Sequence, residues 1–133
     1  VYTSSNDKFV DSPEWADDPD AQAFVEAMGT FAADTNSADL TALAGWLSME
    51  LAVLVAEQAI ANGDFSRAGI MNAARNIDYA SPLTLPGLVG QMNAEDAFYP
   101  EGTQLVQWSD ASTSFEPAGD VTDYNGSLGV YTP

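Results

Sequence analysis

Leu40–Asn62, LTALAGWLSMELAVLVAEQAIAN, followed at once by Gly63-Asp64-Phe65-Ser66-Arg67, is the stretch that decides what kind of chain this is. Leu40, Leu43, Leu47, Leu51, Leu54 and Val55 recur at three- and four-residue spacing, with Ala44 and Ala52 filling in. That pattern predicts one long helix over 40–62 with an apolar stripe. Gly63 suits the left-handed position just past a helix end. Glu50, Glu57 and Gln58 interrupt the apolar run, which falls short of the ~20 residues a membrane span needs, so the segment reads as a helix of a soluble protein.

Outward from this helix the punctuation is clear. Ser66-Arg67 opens a third helix, expected over 66–77, with Ile70, Ala73, Ala74 and Ile77 on one face. Upstream, Asp18-Pro19-Asp20 reads as a cap, a first-turn proline and a dipole-favourable acid, which starts a helix over about 19–33. Val1–Ser5 is β-branched and hydroxylic and predicts a short strand. Asp7–Asp20 reads as a polar loop pinned by Trp15. Downstream of Tyr79, Pro82, Pro86, Gly87, Gly90, Pro100 and Gly102 forbid long helices. Leu83-Thr84-Leu85 and Leu88-Val89 suggest short extended pieces, Gln104–Trp108 a strand, Ser109–Ser114 a turn and Phe115–Val121 a hairpin return. Asp123–Pro133 reads as a loose tail. Three helices followed by two or three strands leave the helix layer without a sheet beneath it.

Composition narrows the function classes. The chain has 133 residues, enough for one small domain, and a net charge of −17, with 20 acids against Lys8, Arg67 and Arg75. Such a balance argues against nucleic acid and anionic membrane surfaces, which need clustered Lys and Arg. It fits a secreted or salt-tolerant setting, in which like charges keep the protein dispersed. There is no Cys and no His, so neither a Cys nucleophile nor a His-based triad is available, and the usual zinc sites are not expected. The chain begins at Val1 with no charged-then-apolar leader, which fits a processed or internal piece.

Other constellations are weaker. The acids Asp7, Asp11, Glu14, Asp17, Asp18 and Asp20 lack calcium-loop spacing and read as a solvated loop with a helix cap. Glu95, Asp96 and Glu101 are available as paired carboxylates, but nothing places them across a sugar. Ser66 and Ser81 have no base partner. Arg67 and Arg75 read as surface residues pairing with nearby acids rather than as anchors for a ligand carboxylate.

The order Asn72-Ala73-Ala74-Arg75-Asn76-Ile77-Asp78-Tyr79, then Leu83-Thr84-Leu85-Pro86-Gly87, then Gln104-Leu105-Val106-Gln107-Trp108 resembles the C-terminal third of type I solute-binding proteins of ABC importers, the leucine/isoleucine/valine-binding family. Ala44-Gly45-Trp46 and Gly63-Asp64-Phe65-Ser66-Arg67 add to the likeness. The resemblance implies an α/β fold, part of a two-lobed type I periplasmic-binding-protein architecture. Residues 1–102 would belong to the first lobe, 103–121 would form a hinge crossing and strands of the second lobe, and 122–133 would be a tail. It implies an extracellular, lipid-anchored or periplasmic protein that binds a small amino acid or related amide in an inter-lobe cleft and delivers it to a permease. No catalysis and no cofactor are expected. The expected partners are the upstream part of the same protein, continuous or separately cleaved, and the permease. The family position that packs an aromatic on the ligand corresponds here to Leu40 and Thr41. Neither is aromatic, which leaves branched-chain specificity open, and most contacts would come from upstream. A ligand-sensing receptor domain of the same fold and a stand-alone helical interaction module remain as alternatives.

Overall fold

A computed structural model describes residues 1–127. In chain order they form β1 (Tyr2–Ser5), α1 (Pro19–Phe31), α2 (Leu40–Asn62), α3 (Arg67–Ala74), β2 (Ile77–Asp78), β3 (Gln91–Met92), β4 (Thr103–Ser109) and β5 (Ser114–Thr122). The class is mixed α/β.

The helices start where their caps place them. Asp18 accepts the amide of Ala21 at 2.9 Å and opens α1, with Pro19 in its first turn. Asp39 accepts the amide of Thr41 at 2.8 Å and opens α2. Gly63, at φ 66°, closes α2 in the left-handed region, where a Cβ would be strained. Two ends differ from expectation. α1 stops at Phe31, because Ala32 leaves the helical backbone region at φ −144° and ψ 50°. α3 stops at Ala74, because Ile77 and Asp78 leave the helix to pair with Met92 and Gln91, which buries Ile77.

Two small antiparallel sheets form, one of order β1-β4-β5 and the other β2-β3. The 110–113 turn joins β4 to β5 as a hairpin. A bulge opens opposite Leu105, and the Gln104 side chain fills it by donating to the Gly119 carbonyl at 2.9 Å. Pro117 is tolerated because β5 is an edge strand. Leu83-Thr84-Leu85 is not a regular strand. It touches the chain after β1 through one bridge, Asp7 to Thr84, flanked by bonds from Lys8 to the Leu83 carbonyl (2.9 Å) and from Leu85 to the Asn6 carbonyl (2.9 Å). Leu88-Val89 also forms no strand; Leu88 instead packs as a buried anchor. The expected loose tail is tied down over its described part: the Gly126 amide donates to Glu101 (2.9 Å), and Asp123 accepts the Val89 amide (3.1 Å). Residues 128–133 of that tail lie outside the described chain.

The core is small. Phe24, Leu43 and Leu83 form its centre, with Val10, Met28, Trp46 and Leu47 packed around them. Phe24 and Trp46 meet edge to face at 5.3 Å. Beside it, Lys8 is buried, with its ammonium 2.6 Å from Asp18 and 4.9 Å from the Trp15 ring centre, so the polar loop is fastened to the start of α1. That is the single ion pair among the described residues. Arg67 and Arg75 stay exposed, and the expected surface pairing with acids is not formed.

The 23-residue helix α2 departs most from the pattern expected of it. Its Leu43 stripe does face the core, but Leu40 at the head of that stripe is 44% exposed. A second apolar stripe, Ala42, Trp46, Met49, Val53, Ala56 and Ile60, runs at alternating spacings of four and three on another face. Met49 (63%), Val53 (52%) and Ile60 (59%) on it lie open. The helix is therefore apolar on nearly every side and is long and apolar enough to cross a membrane by length and composition.

Candidate functional site

Two concavities flank α2 and share Tyr79. The larger, about 550 Å³, is an apolar groove between Met28 and the Trp46–Met49–Val53 stripe, with Glu50 and Glu57 on its wall. The smaller, about 210 Å³, lies between α2 (Leu47, Leu51), the chain after β1 (Asp7), the Ser81–Thr84 loop and Tyr99-Pro100.

A hydrogen-bonded spine separates them. The Trp46 indole donates to one Glu50 oxygen at 2.7 Å, and the Tyr79 hydroxyl points to the other at 3.4 Å. The Tyr99 hydroxyl donates to the Tyr79 carbonyl at 2.6 Å, while the Tyr79 amide donates to the Gly90 carbonyl at 2.7 Å. A Cβ at Gly90 would collide with that same Tyr79 carbonyl, so only glycine lets the two segments approach. Burial raises both phenol pKa values above the ordinary tyrosine range. The Glu50 charge adds to the effect at Tyr79, and the Tyr79 and Asp7 charges add to it at Tyr99.

Asp7 is the distinctive group. The Asp7–Thr84 bridge fixes its backbone against the Ser81 loop, and its carboxyl lines the smaller cavity. Burial alone lifts its pKa from 3.8 to about 6, with no compensating cation or hydrogen-bond donor. Its neighbour Lys8 is taken by Asp18, whose pKa is held down by that bond. Asp7 thus leaves the solvated acidic cluster to which its spacing assigned it, whereas Asp18 behaves as the expected cap.

The residues singled out from sequence sit elsewhere. Leu40 and Thr41 occupy the first turn of α2. Leu40 borders a shallow hollow of about 190 Å³ with Phe9, Trp108 and Phe115, and the Thr41 amide is engaged by Asp39. Neither is brought to the Asp7–Tyr79–Tyr99 cluster. Ser66 and Ser81 use their hydroxyls to accept the amides of Gly69 (3.1 Å) and Leu83 (3.2 Å). Glu101 is buried, one oxygen accepting the Gly126 amide and the other without a partner, Asp96 accepts the Phe98 amide and Glu95 is exposed, so the three do not form a facing pair. No group of three or more acids among the described residues is placed to hold a metal ion.

The sequence places Asp7 in an acidic loop and reads Tyr79 and Tyr99 as core or hinge packing; nothing in it joins the three, because 72 positions separate the first from the second. The one local signal was that Asp7 directly continues a strand-like run towards the apolar pair Phe9-Val10. No family model, curated protein or solved structure matches the chain.

Proposed function

We propose that this chain is part of a solute-binding protein of an ABC importer, the non-enzymatic component that holds a small amino acid or related amide between two lobes and presents it to a permease. One observation carries the proposal: the open Trp46–Met49–Val53–Ile60 stripe of α2. Fully burying a large apolar side chain is worth about 1.5–3 kcal/mol, and this stripe leaves three of them in water. A helix layer of this kind belongs over a sheet, and no residue of β1, β4 or β5 lines the groove along this stripe. Further chain would supply that sheet, form the second lobe and complete the cleft. Ligand binding would then shift an open–closed equilibrium of the two lobes. Extracellular or periplasmic placement follows from the same reading and accords with the −17 charge.

A bilayer is the other apolar surface that α2 would suit by length. Against it stands Glu50 in the middle of the helix, since an ionisable side chain near a bilayer centre costs about 2.5 kcal/mol or more. Glu50 is also held by Trp46 and Tyr79 within the protein. The alternatives of a sensing domain and an interaction module differ in context: a sensor would be joined to a signalling module, and an interaction module would fold alone.

The test is isothermal titration of the complete polypeptide with a panel of amino acids and their amides. Saturable binding of at least one is expected. Absence of binding across the panel overturns the proposal.

A further inference from the structure

The smaller cavity is built for one kind of chemical group. Its wall combines a half-buried carboxylate, Asp7, with the hydroxyls of Ser48, Ser81 and Thr84, the tyrosines Tyr79 and Tyr99, and an apolar floor of Leu47 and Leu51. Apart from the Asn6 carboxamide, the polar side chains there are one carboxylate and hydroxyls; Ser48 and Tyr99 donate their protons to the Ala44 and Tyr79 carbonyls, which leaves their oxygens to accept. The three cations of the chain contribute nothing: Lys8 is bound to Asp18, and Arg67 and Arg75 do not line the cavity. A carboxylate in such surroundings is costly unless paired. The missing counterpart is a small cation that donates several hydrogen bonds and tolerates aromatic faces.

We propose that the Asp7–Tyr79–Tyr99 cavity is a subsite for a primary ammonium group, with Asp7 as its counter-ion, the neighbouring hydroxyls as acceptors and the Leu47–Leu51 floor under the first carbons of the ligand. At about 210 Å³ it has room for an amine with a short aliphatic chain. The inference deepens the solute-binding reading by naming the group recognised, and it rests on that reading only for the remainder of the ligand.

The experiment uses the complete polypeptide with 3-methylbutylamine, its neutral counterpart 3-methylbutanol, and L-leucine, each titrated against the native protein, Asp7→Asn and Asp7→Glu. A charge-assisted bond in a half-buried site predicts that the amine binds about tenfold or more tightly than the alcohol. The preference is lost in Asp7→Asn and kept in Asp7→Glu, while unfolding confirms that both variants remain folded. Equal binding of amine and alcohol overturns the subsite, as does an amine preference that survives Asp7→Asn. If L-leucine binds but Asp7→Asn leaves its affinity unchanged, the subsite fails while the solute-binding reading stands. If the amine binds through Asp7 and no amino acid binds, the subsite stands and the transport reading fails. If neither binds, both fail.

Discussion

Replacing Asp7 with Asn should stabilise the protein at neutral pH and leave it unchanged in acid. Burial raises the native pKa of Asp7 from 3.8 to about 6, so the native state holds this proton more tightly than the unfolded state does. Stability therefore falls as pH rises through the window between 3.8 and about 6, and the loss is complete above it. At 1.36 kcal/mol per pH unit the whole interval corresponds to about 3 kcal/mol. Asp7 remains partly open to water, and solvent screening reduces that to about 1–2 kcal/mol. Asn has a similar shape and no charge to desolvate. Urea unfolding of the complete polypeptide and its Asp7→Asn variant between pH 4 and pH 7.5 isolates the effect, because the other 19 acids are common to both proteins and cancel in the difference. The expected difference is near zero at pH 4 and about 1–2 kcal/mol in favour of Asn at pH 7.5. A variant that is equally or less stable at pH 7.5, or a difference independent of pH, would refute the claim that Asp7 is an uncompensated buried carboxylate.

Three further outcomes are expected. Gly90→Ala should lower stability by about 1–3 kcal/mol, because a Cβ there runs into the Tyr79 backbone; chemical denaturation reads the loss, and the red shift of the tryptophan emission should come at lower denaturant. Lys8→Ala should cost about 2 kcal/mol by removing the bond to Asp18, and the cost should shrink in acid, since the lowered Asp18 pKa makes that contribution present above 3.8 and lost as pH falls below it. Val53→Asp, at a position 52% exposed, would be nearly neutral on a free surface, within about 0.5 kcal/mol. If further chain covers α2, the same change should cost about 3 kcal/mol or more in the complete polypeptide, as measured by thermal unfolding.

Local signals were read well where local chemistry sets the structure. The cap Asp18 and the glycine at 63 follow from side-chain hydrogen bonding and backbone freedom within a few residues, and they lie where the pattern puts them; Ser66 caps the third helix one residue before its first turn, and the turn expected over 109–114 tightens to 110–113. Ile77 reads from sequence as the last helical residue because an apolar side chain at helical spacing looks the same whether it is buried by a helix face or by a strand, and pairing with Met92 decides between them. The second stripe of α2 is hard to read from sequence because Ala42 and Ala56 look neutral, although Met49, Val53 and Ile60 complete it. The cavity was not legible at all. Asp7, Ser81 and Tyr99 are joined by long-range pairing around Thr84, and an acid among acids carries no mark of burial.

The open face of α2 is the centre of the account, and the 133-residue chain produced by itself tests it most directly. Sedimentation velocity, binding of a hydrophobic dye and urea unfolding should show a self-associating, dye-binding chain that unfolds without a cooperative transition, because the Met49–Val53–Ile60 stripe has nothing to cover it. A monomer that binds no dye and unfolds in one sharp transition would contradict the account and make the stand-alone interaction module the better description.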